Sequence, residues 1–416
     1  MHSAPRRVSS VVVLLSLPLV LMAQAAPRSS DKAKVRAITA FVRLERNQYR
    51  QQIADALVAL RQGKTRYEQA GYEVQTLRIT TQPFSEHVRG LPREEMLSFF
   101  RDYDALAKQE NFLPAIGPAM LSEGDDPRNA ELLGAILLGT NLVEGSIIVA
   151  GADGIHWKAV REAARLMKLL EERSPHSQRN FDFAATAMLP ANGPFFPGSY
   201  HRGAGHQFAV GLQSANVVAQ ALSKSRDPAA ARNALASALA EQARSVEAIA
   251  LRIQQETGWA YAALDVSPAP LKEVSIGAAI ENFTGTKIGS SGTLTAAAII
   301  TSVLRELPVK HAGYSGLMLP VMEDTVLAQR WNEGALTMDS LLAYSAVCGT
   351  GLDVVPLPGD ISQEQLERII GDMASLAIIW HKPLSARLLP VAGKKAGERT
   401  EFDDPFLVNA VIQPLR

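Results

Sequence analysis

Segments with the apolar pattern of a strand alternate with segments of helical period along most of the chain. The stretch 72–81 (YEVQTLRITT) alternates like a strand, whereas 47–70 repeats apolar residues at helical spacing. Ten strands are predicted, at residues 34–44, 72–81, 112–121, 143–150, 181–189, 261–267, 316–322, 352–356, 384–391 and 408–412. Such alternation is typical of an α/β protein with a parallel sheet. Because ten strands are many for an open sheet, we expect closure into a β/α barrel.

Two long helices are predicted between the strands at 181–189 and 261–267, within about residues 207–255. The first covers about 207–222. The second begins after Asp227, with Pro228 at the first helical position, where a missing backbone N–H has no cost. We therefore predict one large α/β barrel domain over residues 26–416, with these two helices inserted.

The first 25 residues have the parts of a cleavable secretory signal peptide. Arg6 and Arg7 form a positive start, 11–22 form an apolar core that is short for a membrane span, and Ala-Gln-Ala at 23–25 fits a cleavage site. We expect a mature chain that starts near Ala26, is periplasmic or secreted, and has no stable membrane insertion.

The charge balance argues against polyanionic partners. The chain has 42 basic and 42 acidic residues, so loss of Arg6 and Arg7 with the leader leaves a net charge of −2. Such a chain attracts neither nucleic acid nor an anionic membrane surface. No Walker or GxGxxG motif occurs, so the cofactor stays unknown, and a small molecule is the expected ligand. Formation of a homo-oligomer is left open.

A long connection rich in proline and glycine follows the strand at 181–189. It reads PANGPFFPGSYHRGAGHQFAVG over residues 190–211. Ligands meet loops at the carboxyl ends of parallel strands, so we expect this loop to cover the barrel mouth. Tyr200 would orient the substrate and His201 would transfer protons. The alternative for His201 is a hydrogen bond to backbone carbonyls. His206 lies close by in sequence, but no carboxylate completes a metal signature, so no metal site is predicted.

Four further residues are candidates for chemistry. Glu323 follows a predicted strand and could act as acid or base, while Asp324 beside it fits a helix cap. Cys348 is the only cysteine, and it is either a thiol that lines the lumen or a buried structural residue. Ser291 opens a helix after a glycine-rich turn, where it could bind an anion or cap the helix. Asp353 is a candidate substrate-binding residue on the strand after Cys348.

Collinear motifs over nearly the whole mature chain resemble the domain-of-unknown-function family numbered 711. They include VQTLRITTQPF, FDFAATAMLPANGPFFPGSYH, GSSGTLTAAAI, GYSGLMLPVMED and AVCGTGLDVVPLPGD. The resemblance implies a ten-stranded β/α barrel similar to that of pyruvate formate-lyase-type glycyl radical enzymes, with Cys348 on a loop comparable to their cysteine loop. The C-terminal VAGKKAGERTEF does not match a glycyl radical loop, so we expect chemistry without a glycyl radical.

Three hypotheses of function remain after these observations. The leading hypothesis is an exported barrel enzyme that acts on a small polar molecule by acid–base chemistry. The alternative is a periplasmic small-molecule binding protein without turnover, and a third hypothesis is a degenerate enzyme kept as a partner subunit. Enzyme and binding protein differ in whether titratable groups converge on the ligand.

Overall fold

The computed structural model describes Met1 and residues 32–415; apart from Met1, the predicted leader lies outside these residues. No described helix is long and apolar enough to cross a membrane. The helices are α1 Tyr49–Gln69, α2 Phe84–His87, α3 Arg93–Glu110, α4 Arg128–Gly139, α5 Trp157–Arg173, α6 Ala215–Leu222, α7 Pro228–Thr257, α8 Ile276–Thr284, α9 Thr293–Arg305, α10 Thr325–Asn332, α11 Met338–Ser345 and α12 Gln363–Ile379. A 3-10 helix covers Pro175–Asp182.

The strands form one ten-stranded, mostly parallel sheet. They are β1 Lys34–Val42, β2 Val74–Thr81, β3 Leu113–Pro118, β4 Glu144–Gly151, β5 Gly154–Ile155, β6 Phe183–Ala187, β7 Gln207–Gln213, β8 Ala260–Asp265, β9 Gly351–Pro358 and β10 Leu384–Val391. Their order is β8-β7-β1-β2-β3-β4-β6-β10-β9, with β5 paired to β4. The α/β class predicted from the sequence is thus confirmed.

The sheet has a central block and two reversed pairs at its edges. Strands β1, β2, β3, β4 and β6 run parallel, whereas β7 with β8 and β9 with β10 run the other way. In the described part of the chain, the edge strands β8 and β9 do not pair with each other, so hydrogen bonding does not close the sheet. The pairing of the described strands therefore does not form the closed barrel that the sequence predicted.

Three predicted elements are wrong. The helix expected at 207–222 is strand β7 followed by the short helix α6, because a short apolar run such as QFAVGLQ has no period that separates a buried strand from a helix. Only α7 is a long helix in this region. The segments 316–322 and 408–412 form no strands; 316–322 is apolar because it is buried, not because it pairs in a ladder.

Helices cover one face of the sheet and loops cover the other. On the helical side α1 packs on β1 and β2, and α5 packs on β4 and α12. The main apolar core lies there and includes alternate strand residues such as Ile38 and Ile79. A smaller cluster of residues from loops lies apart from it: Leu189, Phe195, Ala269, Tyr314 and Met318. The candidate site lies beside this smaller cluster.

Candidate active site

A cavity of about 90 Å³ lies where the loop segments meet the sheet. Phe195, Phe196 and Pro197 of the long glycine-rich loop line it, with Met318 and Tyr314 from a second loop. Six charged residues also line it, which is unusual because charged side chains are rarely buried unless paired. They are Arg36, Arg78, Glu144, Glu323, Asp353 and Arg387.

A bulge in β1 places Arg36 on the cavity side. Ile38 packs into the helix-facing core, so strict alternation would put Arg36 there as well. The register between β1 and β7 shifts between Val35 and Ala37, so β1 carries one extra residue at this point. Such a bulge re-aims a side chain, and here it turns a guanidinium away from the apolar core.

A second irregularity places Asp353 opposite Arg387. The register between β9 and β10 shifts between Ala386 and Leu388. On β9 the neighbour Val354 has a φ of 52°, a left-handed conformation that is costly for a β-branched residue. The strained backbone therefore coincides with a carboxylate that faces the cavity.

Four of the charged groups satisfy one another. Arg387 donates from Nη2 to Glu323 Oε1 at 2.5 Å and from Nε to Asp353 Oδ1 at 2.9 Å. Arg36 Nη2 lies 3.5 Å from Glu323 Oε2. Both oxygens of Glu323 are thus engaged, whereas Oδ2 of Asp353 has no hydrogen bond from any described residue. Burial raises the pKa of Asp353, and the Arg387 guanidinium opposes that rise.

The remaining two charged groups have no such partner. Arg78 donates only from Nε, to Thr76 Oγ1 at 3.0 Å, and no carboxylate among residues 32–415 lies within 4 Å of its guanidinium. The side chain of Glu144 has no hydrogen bond or ion pair with a described residue. Burial, reinforced by the charge of Asp182, raises the pKa of Glu144 to about 8, although Arg78 and Arg387 lower it. At neutral pH Glu144 is therefore mostly a protonated carboxyl group.

Each arginine of the cavity is stacked on a phenylalanine ring. The guanidinium carbon lies 5.0 Å from the ring centroid of Phe406 for Arg36, and 4.7 Å from that of Phe196 for Arg78. The corresponding distance from Arg387 to Phe181 is 4.6 Å. These cation–π contacts fix the planes of the guanidinium groups and partly replace lost hydration.

The structure brings two of the predicted site residues into the cavity, Glu323 and Asp353. Tyr200 lines a different cleft, and its hydroxyl donates to Leu189 O at 3.2 Å. His201 is fully buried and stacks on Phe41, and its Nδ1 lies 2.9 Å from Asn192 Oδ1. Its Nε2 has no hydrogen-bond partner, and burial lowers the pKa of the ring. Tyr200 and His201 therefore do not line the cavity.

The other two predicted residues also lie outside the cavity lining. Cys348 is buried, and the amine of Lys382 donates to its carbonyl oxygen. Burial lowers the pKa of Lys382, which lies just before β10, to about 8. Ser291 is exposed, and Gly292 rather than a serine is the N-cap residue of α9.

Sequence reasoning missed Arg36, Arg78, Glu144 and Arg387. Each is a charged residue inside or at the start of a strand in which most residues are buried. That pattern is the signal that could have found them, since a charge in a buried strand needs a partner or a ligand.

The family model described as Uncharacterised ACR (DUF711) matches residues 29–403. A UPF0210 protein of Pyrobaculum arsenaticum is 35% identical over 298 residues, 69% of this chain and 65% of that relative, slightly under two thirds of its length. One from Pyrobaculum aerophilum is 32% identical over 368 residues, 82% of this chain and 79% of the relative. One from Acetivibrio thermocellus is 28% identical over 351 residues, which are 80% of this chain and 77% of the relative.

Proposed function

The chain belongs to the Uncharacterised ACR (DUF711) family, and on this premise we propose that it is an enzyme that performs acid–base chemistry on a small polar molecule in the cavity, without a glycyl radical. The observation that carries the proposal is Glu144, a carboxyl group that lines the cavity without a side-chain partner among the described residues and has a pKa of about 8. A carboxyl group with a pKa near the working pH is suited to proton transfer.

Glu144 is the general acid in this proposal, and Asp353 is the base. Glu144 is mostly protonated at neutral pH and can donate its proton to a bound molecule. Arg387 binds Oδ1 of Asp353 and favours its ionised form against the effect of burial, which leaves Oδ2 to accept a proton. Two carboxyl groups kept in different protonation states by their surroundings are the usual arrangement for paired acid and base roles. Glu323 is the counter-ion that positions Arg387 and Arg36.

The same proposal includes a closed barrel similar to that of the pyruvate formate-lyase-type enzymes. The segment 310–322 lies between the two edge strands and bonds to both. Leu264 of β8 donates to Lys310 O at 2.7 Å, and Val321 donates to Asp353 O of β9 at 3.0 Å. These contacts support closure by an irregular segment in place of a strand. The charged start and short apolar core of the leader support export to the periplasm.

Turnover can be tested before the substrate is identified. The protein is incubated in D2O with a mixture of hydroxy, carbonyl and amino compounds of fewer than about six non-hydrogen atoms, a size set by the cavity, and proton NMR follows exchange or conversion. We expect a signal that Glu144→Gln lowers by about 100-fold or more. Because the acid form of Glu144 is required, the rate should fall about tenfold per pH unit above pH 8, and because the base Asp353 must be ionised, the rate should also fall on the acid side.

The matched control is Glu131→Gln, which removes an exposed carboxylate on α4 and should leave the rate unchanged. Absence of any exchange or conversion by the wild-type protein, or equal rates in Glu144→Gln, would contradict the proposal. Saturation transfer to a compound that is bound but not converted would instead favour the binding protein without turnover.

A further inference from the structure

Arg78 is a buried cation without a counter-ion. It is 6% exposed, its Nε is engaged by Thr76, and Phe196 covers one face of its guanidinium. Its terminal nitrogens have no hydrogen-bond partner among the described residues and are not shut off from the cavity. Burial lowers the pKa of Arg78 to about 10, so the group is still charged at neutral pH. A guanidinium fork with this geometry matches a carboxylate best.

We propose that the molecule bound in the cavity is a small monocarboxylate whose carboxylate group is held by Arg78. This inference rests on the proposed function and names its substrate class. Arg78 and Glu144 lie on strands that flank β3 on opposite sides. Arg78 lies opposite Leu113 of β3, and Glu144 lies opposite Ala115 of the same strand. The backbones of β2 and β4 are therefore about 10 Å apart, and both residues line the same cavity.

The charge of the cavity selects a monoanion. When Glu144 is protonated, the cavity lining has three guanidinium groups, from Arg36, Arg78 and Arg387. The carboxylates of Glu323 and Asp353 balance two of them, which leaves one positive charge in excess. One carboxylate neutralises that excess. A phosphate dianion would exceed it and would meet the two carboxylates of the same small cavity, where like charges are costly.

The size and the remaining lining restrict the ligand further. An apolar cavity of about 150 Å³ holds benzene, which has six non-hydrogen atoms, so one of 90 Å³ holds fewer than six. Phe195, Ala269 and Met318 give the rest of the lining an apolar character. Thr350 is 2% exposed and lines the cavity, and its Oγ1 has no hydrogen-bond partner within residues 32–415, so it can bind one polar substituent of the ligand.

Binding should depend on the protonation of Glu144. Arg78 on β2, Arg387 on β10, and Arg179 and Asp182 of the 3-10 helix are the charged groups that act on it. When Glu144 ionises above about pH 8, the excess positive charge of the lining is lost and the new carboxylate repels the anion. The dissociation constant for a monocarboxylate should therefore rise above pH 8.

Calorimetry with small carboxylates tests the inference. Acetate and glycolate are titrated into the full chain, with acetamide as the neutral isostere of acetate and inorganic phosphate as the dianion. We expect about millimolar binding of the two carboxylates, as befits ligands of so few atoms, and no heat from acetamide. Arg78→Met should weaken acetate binding roughly 10- to 100-fold, with Arg78→Lys in between. Arg128→Met, at an exposed arginine paired with Asp126, should change nothing.

Thermal melting of each variant confirms that it is folded, and Arg78→Lys keeps the test valid should Arg78→Met unfold. Equal binding of acetamide and acetate would overturn the inference, as would tighter binding of phosphate, unchanged acetate affinity in the Arg78 variants, or no carboxylate binding at all. The dependence of turnover on Glu144 is measured separately in the NMR assay, so a failure of the carboxylate inference is distinguishable from a failure of the proposed function.

Discussion

Arg387→Met should lower the free energy of unfolding by about 3–5 kcal/mol. The substitution leaves the buried carboxylates of Glu323 and Asp353 without the guanidinium that both of them bind. Urea denaturation at pH 7 measures the loss. Because the loss comes from uncompensated charge, adding Glu323→Gln and Asp353→Asn to Arg387→Met should restore much of the stability.

An exposed ion pair provides the control for Arg387. Arg232 binds Glu306 on the surface, with side chains that are 41% and 61% exposed. Arg232→Met should change the free energy of unfolding by no more than about 1 kcal/mol. A comparable effect of the two substitutions would show that the charges in the cavity are solvated rather than buried in a network.

Asp324→Ala should lower the free energy of unfolding by about 3 kcal/mol or more. The loss is the sum of two helix caps and of the backbone donors left without a partner. The carboxylate of Asp324 accepts hydrogen bonds at 2.6–3.2 Å from five donors. They are Ser275 Oγ, Ile276 N, Gly277 N, Val326 N and Leu327 N. One buried side chain thus joins the first turns of α8 and α10, directly after the cavity residue Glu323.

The matched control for Asp324 is Asp227, the exposed N-cap residue of α7. Its side chain accepts a hydrogen bond from Ala230 N at 2.8 Å and caps one helix only. Asp227→Ala should lower the free energy of unfolding by about 1 kcal/mol. Thermal or urea unfolding of the two variants gives the difference directly, and an equal cost would refute the double-capping role of Asp324.

Much of the fold could be predicted because strands and helices have different apolar periods. The strand expected at 384–391 is β10 with the same bounds, and the N-cap Asp227 with Pro228 correctly starts α7. The failure at 207–222 has a physical cause, since β7 is buried on both faces and its apolar run lacks a strand period. The segment 316–322 shows the opposite error, because it was predicted as a strand but is a buried apolar segment that forms no strand.

The site was harder to predict than the fold because its residues come from distant parts of the chain. Glu323 and Asp353 were identified as candidates, but their shared partner Arg387 was not, since only the register of β9 and β10 brings it to them. The bulge in β1 turns Arg36 toward the cavity, so the residues before and after it no longer alternate between the two faces of the sheet in one regular series. The position of such a bulge cannot be read from the alternation of apolar residues alone. His201 drew attention as a titratable residue, yet it lies buried against Phe41, away from the cavity.

The proposed chemistry depends above all on Glu144 being a protonated carboxyl group in the cavity at neutral pH. Difference infrared spectroscopy of the wild-type protein and Glu144→Gln, from pH 6 to 9.5, isolates the C=O stretch of that single protonated carboxyl. We predict a band that is present at pH 6, disappears with a midpoint near pH 8 and is absent from Glu144→Gln. A wild-type spectrum in which Glu144 is already ionised at pH 6 would contradict the proposed role of this residue.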